Sequence, residues 1–240
     1  MEPRPITVSA SQILLFSRCP YALRLRLETK EETPTMKTGS MFHKMVELRL
    51  QGRTKEEVIG IITQEFFEQN GHTSEVLKQA IQFYNTYENT LEKVVEEGVL
   101  ATEKEFYLEI DDIVITGYID VLTRRRKMIE LKTTRHNRPL PDFKHVFQLS
   151  VYSLTDEADT YHIHYIFPNK VEIFEIQLIP KREVLSIVKS VAKLLEVQEF
   201  PPLGFLTGYC QFCQYKKHCK YHHLTEKPSG GIMEKKRVWL

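Results

Sequence analysis

The sequence predicts an α/β fold: a central mixed sheet flanked by helices, with a helical N-terminal part before it and a cysteine-bearing segment after it. Three observations carry this. Apolar residues recur at helical spacing as far as Glu97; from Val99 onward, period-two runs alternate with helical stretches; and Cys210, Cys213 and Cys219 crowd one C-terminal stretch. The 240 residues, 42% hydrophobic and 27% charged, suffice for one core. We read one domain: a helical part over 1–98, a core over 99–200, a cysteine segment over 201–225 and a tail over 226–240.

Ser9 to Gln12 forms a capping box that opens a helix to about Arg18, and Pro20 suits the first turn of the next helix. Glu28 to Thr38, charged and containing Pro34, reads as a loop, after which Gly39 opens a helix with Phe42, Val46 and Leu50 on one face. Thr54 to Glu57 is a second capping box, whose helix stops at Asn70-Gly71; a long helix then runs from Ser74 to Glu97 and ends at Gly98. Strands are expected over 99–110, 113–123 and 128–134, with turns at Asp111-Asp112 and Arg124 to Lys127. A helix over 143–156, strands over 161–167 and 171–179, and a helix over 181–198 follow. The tail after Lys227 carries Ser229-Gly230-Gly231 and reads as mobile.

A net charge of +1 excludes a generally basic coat for nucleic acid, so any such contact must be local. No stretch reaches the roughly 20 apolar residues of a membrane span, and no apolar run follows Glu2 and Arg4. The chain therefore reads as cytoplasmic, where its four cysteines would not form structural disulfides.

Glu130 and Lys132, two apart on a strand, share one face. If the preceding hairpin centres near Arg125, Asp120 lies opposite Glu130, and the two carboxylates reach one hard cation, Mg²⁺ or Mn²⁺, with the Leu131 carbonyl as a further oxygen. Lys132 would orient an attacking water or offset phosphate charge. Alone, such residues fit an ion-pair ladder as well. His43, one turn into a helix, offers a nitrogen ligand, and Gln148 and Tyr152, four apart on one helical face, offer contacts to phosphate or base.

Cys210, Cys213 and Cys219 give three thiolates at close spacing, and Cys19 is the cysteine left for a fourth. The set suits zinc, with His218, His222 or His223 as alternative ligands, or an iron–sulfur cluster. Arg124 to Lys127, Arg135, His136 and Arg138 are candidate phosphate contacts or plain turn residues; Lys216, Lys217, His218 and Lys220, interleaved with Tyr215 and Tyr221, suit a single-strand path or simple packing. His162 and His164 read as residues of a less buried strand face.

The order Gly39-x-x-x-His43, Gly117-x-x-Asp120, Glu130-x-Lys132 and Gln148-x-x-x-Tyr152 resembles the RecB-like branch of the PD-(D/E)XK nucleases. Ile119 stands where the superfamily's nominal proline precedes the aspartate. The resemblance implies a restriction-endonuclease-like core, His43, Asp120 and Glu130 as metal ligands, Lys132 as the catalytic lysine, and Gln148 and Tyr152 as positioning groups. Cys19-Pro20 before that core and Cys210-x2-Cys213-x5-Cys219 after it resemble the iron–sulfur nucleases of the group, most closely the CRISPR-associated exonucleases of adaptation modules. That resemblance implies a cluster on Cys19, Cys210, Cys213 and Cys219, [4Fe-4S] in preference to [2Fe-2S], and cleavage of single-stranded DNA ends before spacer integration. A CRISPR integrase and further copies of the chain are its expected partners. A repair or recombination nuclease, a non-catalytic DNA-binding scaffold and a zinc or redox regulator are the competing readings.

Overall fold

The computed structural model describes residues 6–29, 32–70, 74–136 and 139–222. Gly71 at the expected helix stop, Arg138, His223 and the tail after Lys227 lie outside them. The chain divides into two compact units, one of residues 1–14 and 31–199, the other of residues 15–30 and 200–240.

The first unit holds a six-stranded mixed sheet. Its strands are β1 (Ile6–Ser9), β2 (Val99–Ile110), β3 (Ile113–Thr123), β4 (Lys127–Thr133), β5 (Thr160–Ile166) and β6 (Val171–Glu175). Helix α1 (Ala10–Arg18) passes from the first unit to the second, and α2 (Pro20–Thr29) belongs to the second; α3 (Pro34–Leu50), α4 (Lys55–Asn70), α5 (Glu75–Glu97), α6 (Phe143–Tyr152) and α7 (Lys181–Glu196) belong to the first. Phe42, Val46, Val58, Tyr84, Tyr87 and Leu91 of α3 to α5 bury against Val121, Ile129, Leu131 and Ile166 of the sheet. This apolar layer is the main core and fixes β3 and β4 from one side.

The pairing of β3 creates a gap. β2 runs antiparallel along β3 from Ile113 to Thr123 and so occupies one edge. The other edge is shared: β1 pairs in parallel with Ile113 to Thr116, and β4 pairs antiparallel with Val121 and Leu122. Gly117 to Asp120 lie between these partners, with that edge left open.

Both capping boxes form. Ser9 and Gln12 exchange hydrogen bonds of 2.8 and 3.3 Å, and Thr54 and Glu57 bonds of 2.8 and 3.2 Å. The expected loop over 28–38 is wrong in its second half: α3 starts at Pro34, because Thr33 caps it by accepting from Met36 N and proline fits the first helical turn. β1, four residues long, escapes the sequence reading because its partner lies a hundred residues away. The strand expected over 171–179 ends at Glu175, after which Ile179 N–H donates to the Ser150 hydroxyl instead of a ladder. α6 ends at Tyr152 and gives way to a short 3-10 turn, and α7 ends at Glu196, each earlier than the periodicity suggests. His164 does not lie on an open face: it is buried and pairs with Tyr87 Oη at 2.7 Å. No helix among the described residues is long and apolar enough to cross a membrane.

Candidate active site and cysteine cavity

The gap in β3 positions Asp120. Its Oδ2 accepts from Leu131 N–H at 2.7 Å, so the side chain takes over where the β3–β4 ladder stops at Val121 and Ile129. Glu130 and Lys132 form an ion pair beside it. His43, from the middle of α3, brings Nδ1 to 3.4 Å from Asp120 Oδ1 and 3.0 Å from Glu103 Oε1. The ligand atoms of His43, Glu103 and Asp120 all lie within 4.8 Å of one another.

Glu103 is the residue the sequence reading missed. The pairs Thr102–Val121 and Lys104–Ile119 bracket it, which sets it across β2–β3 from Asp120. Its φ of 44° is left-handed, a conformation that costs a non-glycine residue about 1–2 kcal/mol. The local backbone is thus held in a strained form where the carboxylate meets His43.

The electrostatics favour a cation here. Glu130 is 1% exposed, and neither of its oxygens has a regular hydrogen bond among the described residues. Burial, then the neighbouring Asp120 charge, pushes its carboxyl up to about 7 despite Lys132. Burial would also raise Asp120, but His43, then Lys132 and the Leu131 N–H, hold it below the ordinary carboxylate range. For His43, burial opposes the charged form, yet Asp120 and Glu103 outweigh it and lift the imidazole to about 10. Lys132 is lifted too: burial opposes its charge, and Glu130 and Asp120 prevail. A proton on His43 and on Glu130 therefore compensates three crowded carboxylates, and a divalent cation would replace that compensation with oxygen and imidazole ligation. The donor set fits Mg²⁺ or Mn²⁺.

Gln148 and Tyr152 meet through a 2.9 Å bond from Nε2 to the phenol oxygen. Tyr152 is buried, edge-on to Phe106 with ring centroids 5.1 Å apart, so its ring offers no stacking surface. Gly117 allows this packing: a Cβ there would meet Phe106 at 2.7 Å and Tyr152 at 2.8 Å. Leu131 buries its side chain in the core and gives its N–H to Asp120. Two residues of the basic turn are spent on structure. Arg126 binds Asp159 at 3.0 Å and Lys127 binds Glu97 at 2.7 Å.

In the second unit, Cys19, Cys210, Cys213 and Cys219 are all free thiols lining one small cavity. Gly204 packs against two of them: a Cβ there would lie 3.0 Å from Cys210 Sγ and 3.3 Å from Cys19 Sγ. Burial, then Cys19 and Cys219, raises the Cys210 thiol, so several thiolates need a positively charged occupant to coexist. The donor set fits a thiolate-held metal group. Tyr215, 1% exposed, packs with the cysteines, while Lys220 lies over the rings of Tyr21 and Tyr221 at 5.9 and 5.0 Å.

A mixed sheet flanked by helices, with an aspartate and a Glu-x-Lys pair converging at a break in its strand pairing, defines a restriction-endonuclease-like nuclease core. The chain belongs to the PD-(D/E)XK nuclease superfamily, whose model matches residues 7–220. Among solved structures, a protein from Eubacterium rectale provisionally named an exonuclease superposes with a TM-score of 0.62 at 15% identity, covering 95% of this chain and 91% of that one. A protein designated SSO0001 superposes with a TM-score of 0.52 at 19% identity, covering 92% and 89%. No curated protein sequence matches the chain.

Proposed function

We propose that the chain is a metal-dependent exonuclease acting on single-stranded DNA, with an iron–sulfur cluster on its four cysteines. The observation that carries the catalytic part is the meeting of His43, Glu103 and Asp120 around one point, beside a buried Glu130 that lacks regular hydrogen bonds. His43, Glu103, Asp120 and Glu130, with the Leu131 carbonyl, would hold Mg²⁺ or Mn²⁺. The ion supplies Lewis acidity toward the phosphodiester and makes water easier to deprotonate. Lys132, tied to Glu130, orients the attacking water and offers positive charge to the phosphate as negative charge builds on it. Tyr152 and Gln148 act as positioning residues: they wall the site near Gly117 and limit the water that reaches it.

The cysteine part rests on the cavity the four thiols share and on the close approach of the Gly204 backbone to two of them. The choice of a cluster over zinc, and of [4Fe-4S], follows the resemblance of the cysteine pattern to that of iron–sulfur nucleases. The motif order and the cysteine pattern further support a role in trimming DNA ends for CRISPR spacer acquisition, alongside an integrase and in the cytoplasm.

The test is digestion of end-labelled single-stranded DNA with Mn²⁺ or Mg²⁺. Cleavage in the wild type, and a loss of about 10³-fold or more in Lys132→Ala, is expected. Metal-dependent cleavage that survives both Lys132→Ala and Asp120→Ala overturns the site assignment.

A further inference from the structure

A cavity of about 500 Å³ adjoins Lys132 on the first unit. Its walls are the start of α3, the first turns of α5, the end of β4 with the loop that follows, and the start of α6. The volume falls among those of small-ligand pockets, about 300–1,000 Å³. It opens beyond the carboxyl end of β4, which pairs in parallel with β5; open α/β sheets place ligands at such ends.

The lining is cationic. Lys132, Arg135 and Lys144 contribute against one carboxylate, Glu75, which accepts a 3.0 Å bond from Gln79. Lys132 is engaged by Glu130, and Lys144 lies 3.5 Å from Asp142. Arg135 is exposed and has no acidic partner among the described residues, leaving its guanidinium fork available for an anion. Thr133 and Thr134 add hydroxyls beside it, and Phe83 and Tyr165, both buried, close its wall without offering a stacking face. A phosphate and its sugar ask for that combination of cations and hydroxyls.

We propose that this cavity seats the nucleotide next to the cleaved bond, with Arg135 gripping its phosphate. The inference rests on the nuclease reading above and adds a subsite to it. Among the described lining residues only Lys132 belongs to the reacting centre, so Arg135 governs binding of the strand rather than the chemical step.

Two measurements on the full-length protein test this. Steady-state cleavage of a labelled single strand should show KM raised about tenfold in Arg135→Gln with kcat nearly unchanged, partly restored in Arg135→Lys. Anisotropy titration of the same strand across salt concentrations should show the log–log slope reduced by about 0.7 in Arg135→Gln, the loss of one phosphate contact. Lys93→Gln, which removes the same charge from an exposed position of α5 outside the cavity, should change neither. A wild type that cleaves while Arg135→Gln matches it in KM and slope, or Lys93→Gln that mimics Arg135→Gln, overturns the subsite and leaves the nuclease reading standing. A wild type that neither binds nor cleaves overturns both.

Discussion

The oxygen-rich site draws its groups from a helix and three strands, whereas the cysteine cavity draws three of its four thiols from one short stretch of 3-10 turns. His43 sits within the long α3, and Glu103, Asp120 and Glu130 sit on strands backed by a dry apolar layer. Their geometry is set by backbone pairing. The cysteines have little regular structure around them: Tyr209–Phe212 and Lys216–His218 are isolated turns, and the cluster of buried apolar residues there is small. A sheet can preorganise a charged site because packing elsewhere offsets the repulsion; a turn-rich segment needs the ligand itself as its core.

The largest effect should therefore fall on the second unit. Removing the proposed metal group with a chelator and reductant, or substituting Cys213→Ser, should make residues 15–29 and 200–222 sensitive to limited proteolysis while the sheet stays resistant. Ligand binding on the order of 10 kcal/mol is folding free energy in small thiolate-held modules. Absorbance near ~400 nm, expected of the proposed cluster, should vanish in step. If both units lose protection together, or neither does, the contrast between a preorganised and a ligand-made site fails.

A smaller effect sharpens the sheet side. Glu103→Gln should weaken Mn²⁺ binding roughly 10- to 100-fold in a calorimetric titration without lowering the melting temperature. In the wild type, loading must displace a proton from His43, lifted to about 10, and below about 7 a second from Glu130. Protons compete with the metal, so affinity should climb with pH, steeply below about 7 and less steeply above. A pH-independent affinity, or an unaffected Glu103→Gln, removes these groups from the ligand set.

How much of this was legible follows from the same contrast. The hairpin turn at Arg124 to Lys127 was visible in composition, so counting outward set Asp120 against Glu130, and the observed register of Val121 on Ile129 is one step from that pair. The same count from the Asp111-Asp112 turn puts Glu103 across from Asp120, since Ile110 faces Ile113. The signal was available, and the polar run Thr102 to Glu105 hid it among solvent-facing strand residues. The open edge of β3 was not legible, because it depends on β1, a four-residue strand pairing in parallel across a hundred residues. His164 was misjudged because period two fixes which residues share a face but not which face α5 covers.

That buried histidine carries the smallest prediction, on the rigidity credited to the sheet. Burial first, then His162 and Lys127, pushes His164 down to about 3, the opposite direction from His43. Folded protein keeps His164 neutral and bonded to Tyr87, whereas the unfolded chain takes up its proton near the ordinary value of about 6.5. A depressed folded value means the contribution is whole above about 6.5 and drains away as pH falls toward about 3. At pH 5 the loss from this one group is about 2 kcal/mol, a few degrees in melting temperature for a chain of this size. His164→Gln keeps a polar partner for Tyr87 and removes the titration, so its stability should fall less between pH 7 and pH 5 than the wild type's. Parallel curves for the two proteins would mean that water reaches His164, and the dry floor beneath β4 and β5 could then not be what holds Glu130 in place.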